Sequence, residues 1–495
     1  MARAPRVVLA IDQGTTGTTV LVVDSRGRIV GRAYSEFTQY YPKPGWVEHD
    51  PEEIWQVTLR VVRGALRRAG VRPAHVAGIG LTNQRETTVL WNARTGRPVH
   101  RALVWQDRRT ASVCDDLRRR DLAPAVREAT GLVIDPYFSA TKLQWLLSNV
   151  RGARAKARAG HLRFGTIDSW LVWKLSGGRA HVTDRTNASR TLLFNLKTQA
   201  WDPWLLDLFG VPASLLPEVH PSVGVVAETD PAVVGAAIPI AGIAGDQQAA
   251  LFGQACFKRG MAKNTYGTGS FVLVPTGSER VQSSRLVTTA AAATTEEAAY
   301  ALEGSIFVAG AAVQWLRDGI RLIKKAAETE PLARSVSSSL GVYVVPALVG
   351  LGAPFWDADA RGAILGLTPG VTRAHIVRAT LEAMAYQTRD VLEAMASDTG
   401  EAVKLLRVDG GASANNFLMQ FQADILGIEV ERPRVIETTG LGAAFLAGLG
   451  VGLWGSTAEI ERIRKVDRRF RPRIHRAERD ALYEGWTRAV NRVRT

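Results

Sequence analysis

The chain has 495 residues, 46% hydrophobic and 22% charged, with a formal net charge of +15. That length exceeds what one core usually fills, so two large domains are expected. Two cysteines, Cys114 and Cys256, exclude both a disulfide scaffold and a thiolate metal cluster, and suggest a reducing compartment. The basic residues are scattered and mostly arginine, without interleaved surface aromatics or a reader motif. Nucleic acid is therefore not the expected partner, whereas an anionic substrate gains from the positive field.

The opening segment MARAPRVVLAIDQ has a short apolar run broken by Asp12, which argues against a signal peptide. No uncharged stretch of membrane-spanning length occurs. Residues 433–454 come nearest, and Arg434, Glu437 and several glycines interrupt them. Residues 7–11 and 20–24 read as strands joined by the turn DQGTTGTT, and 29–33 as a third. This is a meander, so the glycines are not a dinucleotide fingerprint. Gly14 and Gly17 permit a tight reversal, Thr15, Thr16 and Thr18 offer hydroxyls, and Asp12 can hold a hydrated divalent cation.

Residues 51–69 predict a helix, with Pro51, Glu52 and Glu53 in its first turn. Strand 76–81 runs into Thr82-Asn83-Gln84-Arg85-Glu86-Thr87. Arg85 donates in a fork and Glu86 accepts, which suits neighbouring hydroxyls of a polyol; the plain alternative is a surface ion pair. Residues 101–110 repeat the form, with Trp105-Gln106-Asp107 after a short strand. A helix is expected from Ser139, as N-cap, to about Asn149, which leaves Tyr137 just outside its start. His49, His161 and His181 lack partners at metal-ligand spacing and are read as structural. Residues 161–209 read as a mixed structural region and 221–240 as edge structure.

The strand 238–244 ends at Asp246-Gln247-Gln248, a carboxylate positioned to remove a proton. Residues 260–274 then repeat the grammar of the first hairpin around Gly267-Thr268-Gly269, a turn able to hold phosphate oxygens. Either two duplicated subdomains face each other over a phosphate chain, or the chain contains two unrelated hairpins. Residues 276–299 are poor in large apolar side chains and read as a loop. A helix around 311–317 places Gln314 one turn in from Gly310. A strand followed by a Gly/Pro/aromatic loop is expected over 342–359, and a long helix over 374–397. Strand 403–408, the turn Asp409-Gly410-Gly411 and a helix from Asn415 put backbone where a base or phosphate can approach closely. Residues 438–453 read as a tightly packed small-residue helix and 476–493 as an exposed amphipathic one.

Ten stretches in order carry a specific resemblance: IDQGTT (11–16), FTQYYPKPGWVEHDPEEIW (37–55), NQRETT (83–88), VWQDRRT (104–110), YFSATKLQWLL (137–147), GDQQAALFGQ (245–254), KNTYGTGSF (263–271), EGSIFVAGAAVQWLRDG (303–319), GLGAPFWD (350–357) and DGGASANNFLMQFQADILG (409–427). On these the chain closely resembles glycerol kinases, within the wider FGGY family of carbohydrate and polyol kinases, from about Val7 to Val490. The resemblance implies an α/β, two-domain actin/hexokinase-like ATPase fold of ribonuclease H-like domains with an interdomain active-site cleft. Residues 1–251 would form the polyol-binding domain and 252–495 the nucleotide-binding domain. It implies a cytoplasmic enzyme that phosphorylates glycerol to sn-glycerol 3-phosphate with ATP and Mg2+, assembled as a homodimer or homotetramer. Carried over by position, Arg85, Glu86, Trp105, Tyr137, Asp246, Gln247 and Phe271 would contact glycerol, with Asp246 as catalytic base. Asp12 would serve the magnesium ion. Thr15, Thr16, Gly267, Thr268, Gly310, Gln314, Gly411 and Asn415 would contact the nucleotide.

The chain departs from the family pattern in four places. Thr19 stands where a phosphate-facing arginine is expected, and its hydroxyl cannot replace a delocalised cation. Residues 233–238 lack the Gly-Gly-x-Arg pattern linked to fructose-1,6-bisphosphate inhibition. No histidine before Ile238 matches the one phosphorylated by a sugar-transport phosphocarrier. Gly440 replaces a usual alanine. The Thr19 departure leaves a kinase for another short polyol or sugar as the second reading, and a non-enzymatic binding protein as the third.

Overall fold

The computed structural model describes residues 6–495; the first five residues of the opening segment lie outside the described residues. Two large sheets organise the chain. The first contains β1 (Val7–Gln13), β2 (Gly17–Asp24), β3 (Ile29–Glu36), β4 (Val76–Asn83), β5 (Val223–Glu228) and β6 (Pro239–Gly245), in the order β5-β6-β4-β1-β2-β3. The second contains β7 (Met261–Tyr266), β8 (Ser270–Gly277), β9 (Val287–Ala290), β10 (Tyr300–Ile306), β11 (Leu405–Asp409), β12 (Glu429–Pro433) and β13 (Val466–Phe470), in the order β9-β10-β8-β7-β11-β12-β13.

The same plan is used twice. β1 pairs antiparallel with β2 and parallel with β4, and β4 pairs parallel with β6. β7 likewise pairs antiparallel with β8 and parallel with β11, and β11 pairs parallel with β12. Each sheet ends in an antiparallel edge strand, β5 or β13, and β9 is an addition to the second. The two hairpins are thus equivalent pieces of duplicated units. Segments 7–24 and 260–274 carry that duplication in their sequence. Residues 276–299 hide part of it: strand β9 lies inside the expected loop. Its sequence, Val-Thr-Thr-Ala, is buried on both faces but has one large apolar side chain.

Local chemistry sets the elements between the strands. α1 (Pro51–Ala69) starts where the Asp50 carboxylate accepts from the Glu52 and Glu53 N–H groups, and stops at Gly70 with φ 64°. Its buried face, from Ile54 and Trp55 to Ala65 and Leu66, closes over the first sheet. α2 (Ser139–Asn149) begins at the expected residue, but Ser139 is not its N-cap. Phe138 holds the cap position, and the buried Ser139 hydroxyl donates to the Glu86 carbonyl. A tertiary hydrogen bond has taken the side chain from its local role. α3 (Asp246–Gly253) follows β6 directly, and α4 (Gly310–Gln314) follows β10.

α5 (Arg373–Thr399) crosses between β10 and β11, as α1 crosses between β3 and β4. α6 (Asn416–Leu426) is capped by the Asn415 side chain, which accepts from Leu418 N–H at 3.0 Å. α7 (Thr438–Gly450) belongs to the second unit in sequence yet packs on the first sheet and on α3. Its glycines make this possible. A Cβ on Gly442 would stand 1.8 Å from the Ala249 carbonyl oxygen, and one on Gly80 of β4 would stand 2.0 Å from that of Ala443. A Cβ at Gly440 would come 2.8 Å from the Leu21 Cδ1 methyl, a side-chain contact that a small shift of Leu21 relieves. α8 (Arg476–Asn491) is the terminal amphipathic helix; its buried face carries Trp486, Ala489 and Val490. Both cysteines are free and buried. No described helix is long and apolar enough to cross a membrane.

Candidate active site

The site lies beyond the carboxyl ends of the parallel strands β4 and β6, where crevices of open α/β sheets bind ligands. Arg85 and Glu86 follow β4. Glu86 has φ 60°, a left-handed conformation costing about 1–3 kcal/mol in a non-glycine residue. The kink breaks strand alternation, so successive side chains reach one buried cluster instead of opposite faces. Asp246 opens α3, where free N–H groups favour a carboxylate, and its Oδ1 accepts from Gln247 N–H at 2.7 Å. Arg85 Nε lies 3.1 Å from the same oxygen. The Asp246 side chain is 29% exposed, whereas Arg85 and Glu86 are almost wholly buried. Asp246 is therefore the member of this group open to the cleft.

Two aromatic residues close one side. Trp105 and Tyr137 meet edge to face, with centroids 5.6 Å apart. Trp105 Nε1–H donates to Thr15 Oγ1 at 2.9 Å, tying the aromatic wall to the first hairpin turn. Burial and Glu86 push the Tyr137 phenol upward, so it remains a donor. Lys142, buried on α2, anchors the loop from behind by donating to the Tyr137 carbonyl at 2.6 Å. Across the pocket, Phe271 on β8 lies 6.0 Å from the Arg85 guanidinium.

Both hairpins converge on Asp246 and Gln247. Asp12, at the end of β1, is half-buried and faces Asp246. Loss of solvent and the Asp246 charge push its pKa up to about 7. From the second hairpin, buried Lys263 donates to Gln247 Oε1 and to Thr265 Oγ1. That bond fixes the amide: with Oε1 occupied by an ammonium, the Gln247 NH2 is turned toward other acceptors. Burial lowers the Lys263 pKa to about 8 against the pull of Asp409, Glu303 and Asp246.

The remaining predicted residues gather around the second turn. Gly310 N–H donates to the Gly267 carbonyl at 3.0 Å, while Ala309 and Ala311 N–H donate to that of Thr268. Gly267, Thr268 and Gln314 are exposed there. Gly410 has φ 81° and packs against Tyr266, where a Cβ would come 2.3 Å from the carbonyl oxygen; the neighbouring Gly411 faces open space. Asn415 is partly committed: its Oδ1 caps α6 and its Nδ2 donates to Thr329 at 3.2 Å, leaving one amide hydrogen. In the first turn, Thr16 is exposed. Thr19 stands opposite Asp12 on one side and Tyr34 on the other.

The motifs assign no role to four further residues of the site. Glu303 and Arg190 are buried charges that complete the Arg85–Glu86 cluster. Gln248 accepts from Arg85 at 3.2 Å. His49 is buried, held near pKa 3 by loss of solvent, and lies between Gln39 and Gln84. Those amides donate to the Thr15 and Gly14 carbonyls, so a histidine without metal partners braces the first turn. A charged residue within a buried strand, as in Tyr-Ala-Leu-Glu-Gly-Ser-Ile, is the signal that marks Glu303.

Comparison with known proteins agrees with this geometry. Residues 7–253 match the N-terminal domain of the FGGY family of carbohydrate kinases, and residues 262–451 its C-terminal domain. The chain is 61% identical over 488 residues to a glycerol kinase of Symbiobacterium thermophilum, covering 98% of each. It is 57% identical over 485 residues to one of Thermus thermophilus, again covering 98% of each. Among solved structures it is similar to Plasmodium falciparum glycerol kinase with ADP, at TM-score 0.93 and 37% identity, covering 99% of this chain and 98% of that one.

Proposed function

Given that the chain belongs to the FGGY family of carbohydrate kinases, we propose that Asp246 is the general base of its phosphoryl transfer, acting in a pocket built by Arg85, Glu86, Trp105, Tyr137, Gln247 and Phe271. The reaction is ATP-dependent phosphorylation of glycerol to glycerol 3-phosphate. The observation that carries the assignment is the convergence at Asp246. The one cleft-facing carboxylate of the Arg85–Glu86 group stands where both duplicated hairpins meet.

Arg85 and Glu86 supply a donor and an acceptor for neighbouring hydroxyls, and Gln247 adds its amide hydrogens. Trp105, Tyr137 and Phe271 cover the carbon skeleton and exclude water. Asp246 takes the proton of the terminal hydroxyl as that oxygen attacks the γ-phosphorus. The P–O bond to the β-phosphate breaks as the new bond forms, and ADP leaves. Little else is required beyond alignment and charge stabilisation. Thr15, Thr16 and Thr268 present hydroxyl donors for the phosphates, while Gly267 and Gly310 spend their N–H groups on the Gly269 and Gly267 carbonyls and so hold the second turn closed beside them. Gln314, Gly411 and Asn415 border the space for the rest of the nucleotide.

Asp12 fits a magnesium ion. Among the described residues no donor offsets its charge, Asp246 repels it, and a bound cation would relieve both. Among the described residues no cluster of three His, Cys, Asp or Glu side chains forms a complete cage. Magnesium typically takes one or two carboxylates and completes its shell with water and substrate phosphates. When bound it supplies charge neutralisation at the β- and γ-phosphate oxygens. The division into a polyol-binding domain over 1–251 and a nucleotide-binding domain over 252–495 follows from the same reading, as do a cytoplasmic setting and a homodimer or homotetramer. Phosphorus NMR of the enzyme with ATP, Mg2+ and glycerol tests the reaction. Glycerol 3-phosphate and ADP are expected in equal amounts, and ATP left intact would refute it.

A further inference from the structure

Glu303 is on β10, in the second unit, yet its carboxylate sits wholly buried against the first. Arg85 donates to it twice, from Nη1 at 2.6 Å and from Nη2 at 3.0 Å. Arg190 donates to it from Nη2 at 3.1 Å and to Glu86 Oε1 from Nε at 2.6 Å. Burial opposes the charge on Glu303, but Arg190 and Arg85 more than offset this and draw its pKa down to about 2. β9 and β10 are stitched to the first unit around it. Gln248 donates to Thr289 and Ala290, Ser189 meets Thr289 at 3.0 Å, and Thr288 N–H donates to the Gly131 carbonyl.

A donor inventory shows what this cluster leaves over. A guanidinium has five N–H groups. Arg85 spends both hydrogens of Nη1 on Glu303 and Gln248, one of Nη2 on Glu303, and directs Nε at Asp246. One Nη2 hydrogen remains. Glu86 has Oε1 filled by Arg190 and, among the described residues, keeps Oε2 without a bond. Of the Arg85–Glu86 pair this leaves one donor and one acceptor; Arg190 Nη1 is buried without a partner among the described residues. A single hydroxyl, which donates once and accepts once, matches that pair.

We propose that Glu303 is a positioning residue for polyol recognition: reaching across from the second sheet, and clamped by Arg190, it fixes Arg85 and Glu86 so that one N–H and one carboxylate oxygen are presented to a substrate hydroxyl. This rests on the assignment of Arg85 and Glu86 to the polyol pocket. It places the pocket floor on both halves of the chain, at the point where they are stitched together.

The test is Glu303→Asp, which keeps the buried charge but shortens its reach by one methylene. Thermal unfolding first checks that the variant is folded. If it is not, Arg190→Lys takes its place, since it keeps the charge and loses the planar fork. The expected result is a rise of at least tenfold in KM for glycerol with KM for ATP within about twofold. Discrimination against the more strongly rejected of propane-1,2-diol and propane-1,3-diol should fall by at least tenfold, because a site built to bond a hydroxyl rejects the analogue without it. A folded variant with unchanged glycerol KM and unchanged discrimination overturns the proposal. Equal losses for glycerol and ATP also overturn it, since they indicate a structural role only. If wild-type enzyme does not phosphorylate glycerol, the underlying assignment has failed instead.

Discussion

Replacing Asp246 by Asn separates chemistry from binding at the proposed base. The amide keeps the size of the carboxylate and one oxygen to accept from Gln247 N–H at 2.7 Å, with Arg85 Nε 3.1 Å from it. What it loses is the ability to take a proton. A positioned general base contributes about 10²–10⁴ in rate, or about 2.7–5.5 kcal/mol at about 1.4 kcal/mol per decade. The ground state should change far less. Arg85 remains charge-compensated by Glu303, and a partly exposed pair of this kind is worth up to about 1 kcal/mol, or roughly fivefold in affinity. The expectation is a kcat lowered by about two to four decades, followed by ADP release, with a glycerol Kd from calorimetry within roughly fivefold of wild type. A kcat within tenfold of wild type would refute the assignment of the base. A large loss of glycerol affinity with little change in kcat would show that Asp246 holds the substrate rather than activating it.

Three other perturbations probe different parts of the account. Trp105→Phe keeps the aromatic wall and removes the bond to Thr15. A neutral hydrogen bond is worth about 0.5–1.5 kcal/mol, so KM for ATP should rise about 2- to 12-fold while KM for glycerol moves less; an unchanged KM for ATP would count against the link. His49 and His181 have folded pKa values depressed to about 3 and about 4. The unfolded chain therefore binds protons that the folded chain refuses. Stability present above pH 6.5 is lost as pH falls toward those values, by about 1.4 kcal/mol per unit for each histidine. His49→Gln should flatten the decline of melting temperature between pH 6.5 and 4, and a parallel decline would contradict the assignment. Gly442→Ala drives a methyl into the Ala249 carbonyl and should cost about 3 kcal/mol or more, read as a fall in the unfolding midpoint; a neutral result would mean that α7 and α3 separate easily.

The sequence makes much of this arrangement legible for physical reasons. Strands β1 and β2 flank a turn of glycines and threonines, and β7 and β8 flank another, so the duplication is written in local pattern. α1 announces both ends through Asp50, Pro51 and Gly70. Arg85 and Asp246 stand out because polar residues end otherwise apolar strands. Glu303 shows as a charge within an apolar strand, but neither its role nor that of Arg190 does, since their partners lie more than a hundred residues away and spacing cannot reveal such a pair. β9 is obscured because threonine and alanine fill positions where a small contact surface is enough. Ser139 shows the reverse case, in which a sound local rule gives way to a buried partner. His49 lacks any metal-ligand spacing, yet its brace on the first turn depends on Gln39 and Gln84, which only the fold brings to it.

Steady-state kcat/KM for the wild-type enzyme across glycerol, dihydroxyacetone, erythritol and xylulose tests the central claim most directly. A pocket that offers one fixed donor–acceptor pair beneath an aromatic wall should turn over glycerol at least tenfold more efficiently than erythritol or xylulose. Equal or greater efficiency with either of these longer substrates would contradict it.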